Sequence, residues 1–342
     1  MNESGAEREL ARGVAAVLAE LGIPHADAPT RLTRMPGGAS RETWLVEVGE
    51  DSDWRYVLRR DPPGAESLVS QAQEFELISL ADRAGVPVPR PLHLEPAGGR
   101  FATAGVLMEH VAGESLAPRI LRRPEYETAR RALPAQLGKA LAKVHSVDPD
   151  RAADGLGAMP PAADPIEVAL DRWRSELEGI GEPLPGVEAG LRWLRLNRPE
   201  QARAGLVHGD FRLGNFIVDE SGLAAVIDWE LAHLGDPAED LGWLCIRSWR
   251  FGNDDRQAAG LTSLEEFLDA YRAAGGGPID SERVRYWEVF GNLKWAVICA
   301  RQAHDHMTGL RPSHELASLG RRICEPEWDM LGLIAETGSE GQ

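Results

Sequence analysis

Residues Gly205 to Trp243 read GLVHGDFRLGNFIVDESGLAAVIDWELAHLGDPAEDLGW. A short apolar run leads into His208-Gly209-Asp210, and Asn215 follows Asp210 by five positions. Two strand-like runs then flank a polar turn and lead to Asp228. The pattern predicts a loop followed by a hairpin, which together supply two carboxylates and one amide.

The spacing of Asp210, Asn215 and Asp228 is typical of phosphoryl transfer from a nucleotide. That reaction needs a carboxylate to orient the attacking hydroxyl, and an amide and a second carboxylate to hold Mg²⁺. The interval from Asp210 to Asn215 equals that of the kinase catalytic loop. We therefore predict that Asp210 is catalytic and that Asn215 and Asp228 are the metal ligands, because hard oxygen donors suit Mg²⁺.

The motif HGD-x-x-x-x-N followed by IDWE resembles the aminoglycoside phosphotransferase and choline kinase family of small-molecule kinases. Three further segments, VLRRDPPG, VPVPRPL and LMEHVAGESL, are similar to the kinase-like domain that is fused to some acyl-CoA dehydrogenases. The resemblance runs from about Met35 to about Trp243, with weaker likeness beyond. It is specific for the reaction and not for the acceptor.

The resemblance implies an α+β, two-lobed, protein-kinase-like fold, with a small antiparallel β lobe and a larger, mainly helical lobe. We place the nucleotide-binding lobe, with a leading helix, at residues 1–108 and the catalytic and acceptor-binding lobe at residues 109–342. The implied cofactors are ATP and Mg²⁺. The implied reaction moves the γ-phosphate of ATP to a hydroxyl of a small molecule.

A Gly-Gly pair lies in the segment Pro36-Gly37-Gly38-Ala39-Ser40, between two predicted strands. Glycines allow backbone N–H groups to approach phosphates, because no Cβ stands in the way. We predict that Gly37, Gly38 and Ser40 contact the nucleotide phosphates. The alternative is an ordinary turn.

The strand expected at Trp54 to Arg60 should carry the cation that binds the α- and β-phosphates. The three lysines of the chain lie elsewhere, at positions 139, 143 and 294, so an arginine must take this place. The resemblance aligns Val57-Leu58-Arg59 with the Ala-Ile-Lys of the kinase strand. This alignment implies that Val57 lies under the adenine and Arg59 under the phosphates, on one face of the strand, while Arg60 points to the other face. The alternative is a pair of surface arginines on an edge strand.

The helix predicted at Gln71 to Ala81 offers a carboxylate partner for Arg59. The resemblance favours Glu74, and Glu76 is the competitor. Further along, the run from Val106 to Val111 is apolar, then polar, and is broken by Gly113. A strand that leaves the small lobe here should form the link between the lobes, with Met108 at the back of the adenine pocket and the backbone of Glu109 and Val111 at the adenine edge. The alternative is an ordinary buried strand end.

Other side chains near the central stretch have open roles. Arg212 occupies a place where protein kinases often carry a lysine that contacts the transferring phosphate, although a surface role is an alternative. His208 and Asp240 are expected to support the catalytic loop from beneath. Lys294 and Arg301 fall two turns apart on one helix face, so they are candidates to meet an anionic group of an acceptor.

Apolar spacing predicts helices in several parts of the chain. Proline, glycine and alanine between 148 and 165 predict a long loop. We expect helices at 7–21, 134–147, 166–180, 186–196, 264–274, 281–306 and 314–333.

Composition limits the partners. The net charge is −17, and residues 1–108 carry 16 acidic and 11 basic side chains against 38 and 26 in the remainder. Such acidity disfavours nucleic acid and suits a cationic substrate, or simply keeps the protein in solution.

We expect no membrane span, and the three scattered cysteines indicate reduced thiols in a cytoplasm. The oligomeric state stays open.

The leading hypothesis is therefore a cytoplasmic, ATP- and Mg²⁺-dependent small-molecule kinase. Its expected partners are a nucleotide and a small hydroxyl acceptor, either an aminoglycoside or a hydroxyacyl compound. The alternative is a catalytically silent nucleotide-binding pseudokinase that acts as a scaffold. The missing lysine supports this alternative, and the intact set of Asp210, Asn215 and Asp228 opposes it.

Overall fold

A computed structural model describes residues 5–23, 30–35, 41–49, 54–62, 70–156, 163–200 and 204–339. The chain forms two compact units. The first unit comprises Met1–Gly113 and Ala224–Leu231, and the second comprises Glu114–Leu223 and Ala232–Gln342. The predicted class, a small antiparallel β lobe and a larger helical lobe, is confirmed. The predicted lobe boundary at residue 108 stays a prediction.

The first unit contains a five-stranded antiparallel sheet in the order β1-β2-β3-β5-β4. Arg59 of β3 pairs with Thr43 of β2 on one side and with Val106 of β5 on the other. The elements are α1 (Gly5–Glu20), β1 (Thr30–Arg34), β2 (Glu42–Val48), β3 (Trp54–Arg60), α2 (Gln71–Arg83), β4 (Pro91–Glu95) and β5 (Gly105–Glu109).

Alternation along the strands builds the core of this unit, since one face of each strand is apolar. The buried face of β2 and β3 packs with α1 around Val14 and Leu18, and both side chains are fully enclosed. Helix α2 begins with a capping box, in which Ser70 and Gln73 each bond the other's backbone N–H. The cap fixes the start of the helix that carries Glu74.

The second unit is mainly helical, with short strands around the central stretch. Its longest helix, α10, has buried residues on all its faces through most of its length, as expected of a helix at the centre of a unit. The elements are α3 (Ala117–Arg122), α4 (Glu127–His145), α5 (Pro149–Leu156), α6 (Pro165–Ile180), α7 (Pro185–Leu196), β6 (Gly205–Val207), β7 (Phe216–Asp219), β8 (Gly222–Val226, whose end lies in the first unit), β9 (His233–Gly235), α8 (Ala238–Cys245), α9 (Leu264–Ala273), α10 (Ser281–Met307), α11 (His314–Leu319) and α12 (Cys324–Ser339).

Three predictions of helix and loop positions were wrong. The expected loop at 148–165 contains α5, whose first turn is held by Asp148 Oδ1 accepting from the Asp150 N–H over 3.1 Å. Helix α4 starts well before Pro134, because Ala129 and Leu133 upstream are fully buried and keep the chain helical. The C-terminal helix is interrupted after α11 by a 3₁₀ turn at Gly320–Arg322.

Helices α8 and α10 approach each other closely at Gly242. A Cβ there would lie 2.3 Å from the carbonyl carbon of Trp287 and 2.6 Å from the nitrogen of Glu288, both backbone atoms. We expect Gly242→Ala to lower the free energy of unfolding by about 1–3 kcal/mol, because the helices must separate. Denaturant unfolding measures this.

The matched control for that prediction is Gly332→Ala in α12, where, outside its own turn of helix, no atom of the described residues lies within 4 Å of the new Cβ. Alanine favours the helix there by about 1 kcal/mol, so this variant should be neutral or stabilised. Equal stability of the two variants would contradict the close packing at Gly242.

Within the part of the chain that the structure describes, no helix is both long and apolar enough to span a bilayer.

Candidate active site

The predicted glycine-rich turn lies outside the described residues. Gly37, Gly38 and Ser40 belong to the segment 36–40, so their contact with phosphates stays a prediction. The structure describes the strands on both sides of this segment, β1 and β2, which pair with each other.

Arg59 and Glu74 lie together in the first unit. Arg59 Nη1 donates to Glu74 Oε1 over 2.6 Å, and the Glu74 side chain is 1% exposed. Arg59 Nη2 donates to Asp228 Oδ1 over 3.1 Å. Glu76, the competing partner, is exposed. One guanidinium therefore bridges the carboxylate of helix α2 and the carboxylate of Asp228.

Arg41 is a second cation beside Glu74, and the sequence analysis missed it. Its enclosed guanidinium forms ion pairs with Glu74 and, over 3.5 Å, with Asp61. Burial, and then the charge of Arg59, lowers the pKa of Arg41, although nearby carboxylates act in the opposite direction. Two arginines thus share Glu74. Its place in the sequence, between the glycine-rich segment and the first residue of β2, could have pointed to this role.

Strand β3 presents Arg59 on one face and Arg60 on the other. Arg60 donates to Glu42 over 2.8 Å, and its guanidinium carbon lies 5.7 Å from the ring centroid of Trp44. Val57 lies on the face of Arg59 and is half-buried. Both arginines are mostly enclosed by partners, so neither is a surface side chain at a strand end.

Strand β5 ends where the adenine contacts are predicted. Met108 is buried and pairs with Val57 of β3. The backbone N–H of Glu109 donates to the carbonyl of Arg90 over 3.0 Å, so that group is already used within the first unit. Val111 is half-buried, two residues past the strand. Contacts of Met108, Glu109 and Val111 with adenine stay predictions. The N–H of Glu109 is excluded from them, because it is bonded to Arg90.

Three side chains hold the carboxylate of Asp210 in the second unit. Arg212 Nε and Trp243 Nε1 donate to Oδ1 over 2.8 and 2.7 Å, and Asn215 Nδ2 donates to Oδ2 over 2.5 Å. Burial alone would raise the pKa of Asp210, but nearby positive charges, first Arg212 and then Lys294, and the Trp243 hydrogen bond outweigh it and lower the pKa. Asp210 is therefore an anion at neutral pH.

The backbone of the His208-Gly209-Asp210 loop is fixed from beneath. The enclosed carboxylate of Asp240 accepts from the N–H groups of His208 and Gly209, each over 2.8 Å. His145 Nε2 lies 3.1 Å from the same carboxylate. The Asp210 N–H donates to His208 Nδ1 over 3.2 Å. Asp240 and His208 thus occupy the supporting places that the sequence indicated.

Asn215 directs its amide nitrogen to Asp210, whose main-chain oxygen it also binds over 3.0 Å. Its Oδ1 is left as an acceptor and has no hydrogen-bond partner among the described residues. In the first unit, Asp228 has a backbone φ of 69°, which non-glycine residues rarely adopt. An amide oxygen and a carboxylate are hard donors, so each of these two groups is of a type that suits Mg²⁺.

Sequence reasoning missed Trp243 and misplaced Lys294. Trp243 lies 33 residues after Asp210, and no local pattern marks their hydrogen bond. Lys294 is 1% exposed and paired with Glu239, so the expectation that it meets an anionic group of the acceptor is wrong. Arg301 forms an ion pair with Glu176 over 2.9 Å.

Residues 31–287 match the family model described as the phosphotransferase enzyme family. Acyl-CoA dehydrogenase family member 10 of Mus musculus is 29% identical over 324 residues, which are 89% of this chain and 30% of that protein. Acyl-CoA dehydrogenase family member 11 of Pongo abelii is 28% identical over 330 residues, which are 91% of this chain and 40% of that protein. The chain thus spans about a third of the length of these curated relatives.

The solved structures that share the fold include three with different named activities. A candidate aminoglycoside phosphotransferase of Ralstonia eutropha has a TM-score of 0.72 at 20% identity, over 95% of this chain and 98% of that one. A macrolide 2'-phosphotransferase of Brachybacterium faecium has a TM-score of 0.59 at 20% identity, over 90% and 96%. An ethanolamine kinase of Plasmodium vivax has a TM-score of 0.60 at 13% identity, over 92% and 87%.

Proposed function

This chain belongs to the phosphotransferase enzyme family, and we propose that it is an ATP- and Mg²⁺-dependent kinase that moves the γ-phosphate to a hydroxyl of a small molecule. One observation carries the proposal furthest. Asp210 is a buried, ionised carboxylate whose two oxygens are held by Arg212, Trp243 and Asn215. Such a fixed anion suits the orientation of an acceptor hydroxyl.

Asp210 orients the hydroxyl and does not deprotonate it beforehand. Its pKa lies below the ordinary value of an aspartate, so it is too weak a base to ionise an alcohol. In a loose transition state the proton leaves late, and positioning supplies most of the effect. Arg212, which holds Oδ1, stabilises charge on the transferring phosphate group.

Arg59 supplies positive charge for the nucleotide phosphates, and Glu74 holds its guanidinium beside that of the enclosed Arg41. A guanidinium can bind phosphate through two N–H groups at once, so arginine is a reasonable replacement for the usual lysine. Other nucleotide contacts are proposed from the resemblance: Gly37, Gly38, Ser40, Val57, Met108, the carbonyl of Glu109, and Val111.

Asn215 Oδ1 and the carboxylate of Asp228 would hold Mg²⁺. When bound, the ion neutralises charge on the β- and γ-phosphates. Asp228 Oδ1 accepts from Arg59, so the same carboxylate links the proposed metal ligand to the proposed phosphate-binding cation.

We expect Arg59→Ala to weaken ATP binding about 10- to 100-fold, because hydrogen bonds to charged groups contribute roughly 1.5–3 kcal/mol. Arg60→Ala is the matched control, since Arg60 points to the other face of β3 and pairs with Glu42. Arg60→Ala should change the affinity for ATP by less than about threefold, which corresponds to less than about 0.7 kcal/mol. Calorimetric titration with ATP and Mg²⁺ measures both. A larger loss for Arg60→Ala would contradict the assigned face.

The acceptor class favoured by the site is a hydroxyacyl compound. Trp243, Trp249 and Trp295 pack together beside the Asp210 loop, with ring centroids 4.9–6.5 Å apart. Arg212 lies over Trp249 at 4.3 Å. Trp243 and Trp249 are buried, so the half-buried Trp295 is the ring of this cluster that an apolar acyl chain would contact. The curated relatives named as acyl-CoA dehydrogenases agree with this choice.

A screen for phosphate transfer tests the proposal. The full chain is incubated with ATP and Mg²⁺ and with hydroxy acids, hydroxyacyl-CoA thioesters or aminoglycosides, and the acceptor mass is followed. We expect a gain of one phosphoryl group on a hydroxyacyl acceptor. Transfer to aminoglycosides alone would overturn the acceptor class, and consumption of no ATP with any acceptor would overturn the kinase assignment.

A further inference from the structure

Lys294 lies in the middle of α10 and is enclosed. Its Nζ lies 4.5 Å from the ring centroid of Trp243 and 5.7 Å from that of Trp173. It donates to the main-chain oxygen of Gly209 over 2.6 Å and to Glu239 Oε1 over 3.1 Å. Burying an ammonium is costly unless it is paired and hydrogen-bonded, and here one carboxylate and one carbonyl meet that need.

The two polar contacts of Lys294 have different consequences. Glu239 balances its charge, and the other oxygen of Glu239 lies 3.0 Å from His233 Nε2. The bond to Gly209, by contrast, fixes the peptide that directly precedes Asp210. Gly209 has a φ of 79°, so the chain turns sharply at the point where the ammonium holds it.

Trp243 forms a second link between Lys294 and Asp210. One face of its indole meets the ammonium, and its Nε1–H donates to Asp210 Oδ1 over 2.7 Å. A cation is attracted to the π face of an indole, which restrains the ring and polarises its N–H bond. Lys294 therefore contacts both the backbone beside Asp210 and the ring that holds its carboxylate.

We propose that Lys294 is a positioning residue for phosphoryl transfer, which fixes the Asp210 carboxylate through the Gly209 carbonyl and the Trp243 ring. This proposal rests on the proposed function of Asp210. Lys294 is too enclosed to touch an acceptor or a nucleotide. Its loss should therefore lower kcat and leave the KM for ATP unchanged.

Kinetics of ATP hydrolysis, with water as the acceptor, test the proposal on the full chain. Lys294→Met removes the charge and keeps an unbranched side chain, whereas Lys294→Arg keeps the charge. Arg285→Met is the matched control, because Arg285 lies on the same helix and pairs with Glu336 over 2.8 Å, away from any proposed site residue. We expect Lys294→Met to lower kcat about 100-fold, as a misplaced catalytic group does, with partial recovery in Lys294→Arg and little change in the control.

The indole N–H signal of Trp243 in the NMR spectrum, assigned with Trp243→Phe, gives a readout that does not depend on turnover. We expect Lys294→Met to shift this signal toward the position of an indole without a strong acceptor, and Arg285→Met to leave it in place. If Lys294→Met does not fold, the double variant with Glu239→Gln removes both charges, and the same two readouts apply.

A folded Lys294 variant with an unchanged indole signal and wild-type kcat would overturn the proposal, since Lys294 would then serve packing alone. Failure of the proposed function is distinguishable from this outcome. In that case the wild-type chain turns over no ATP, while the indole signal still reports whether Lys294 holds the Asp210 side chain.

Discussion

We expect Asp210→Asn to lower the rate of phosphoryl transfer by about 10³- to 10⁴-fold, near the upper range for a positioned acid–base group. Asparagine keeps the shape of the side chain but has no negative charge. The carboxylate that pairs with Arg212 and accepts the hydrogen bond of Trp243 is therefore lost. The hydroxyl then lacks a fixed anionic acceptor. ATP affinity should change little, because Arg59, Arg41 and Glu74 belong to the first unit and are untouched.

Single-turnover kinetics and a calorimetric ATP titration measure the two quantities separately. Asp219→Asn is the matched control, since Asp219 caps an exposed turn by accepting from Ser221 and Gly222. It should transfer phosphate at the wild-type rate. A loss of ATP affinity in Asp210→Asn as large as its loss of rate would show that Asp210 acts in binding, which contradicts the assigned role.

Asp228→Ala should abolish the part of ATP affinity that depends on Mg²⁺. The wild-type chain is expected to bind ATP about 100-fold more tightly with Mg²⁺ than without it, which corresponds to roughly 2.7 kcal/mol. The variant should bind equally in both conditions, because one of the two proposed metal ligands is gone. Without Mg²⁺ its affinity should match or exceed wild type, since Arg59 loses the competing carboxylate.

Titrations with Mg²⁺ and with a chelator give the four affinities. Asp82→Ala is the control, since Asp82 is an exposed carboxylate of the same unit on helix α2. It should retain the full effect of Mg²⁺. An undiminished effect of Mg²⁺ in Asp228→Ala would refute the metal role of this residue.

Local sequence patterns predicted most elements of the fold. Helix α2 and strand β3 were placed to within two residues, because the spacing of apolar residues and the alternation along the strand mark them directly. The pattern failed at α4, where the buried Ala129 and Leu133 continue the helix upstream of Pro134. Burial against other elements decided that boundary, and a local pattern does not contain this information.

Some residues of the candidate site were predicted from the sequence, and others were not. The pairing of Arg59 with Glu74 followed from strand alternation and the kinase resemblance, and the support of the catalytic loop by Asp240 followed from its place in the motif. The partners Trp243 and Lys294 could not be predicted, because they reach the loop from residues 33 and 85 positions away. Such contacts depend on helix packing.

The most direct test of phosphoryl transfer is the steady-state release of ADP from ATP and Mg²⁺ by the wild-type chain and by Asp210→Ala. Alanine keeps the loop contacts of Asp240 with His208 and Gly209, since these are made by backbone N–H groups. We predict measurable turnover by the wild-type chain and a loss of about 10³-fold or more in the variant. Equal turnover in the two proteins would contradict catalysis at Asp210 and favour a nucleotide-binding scaffold.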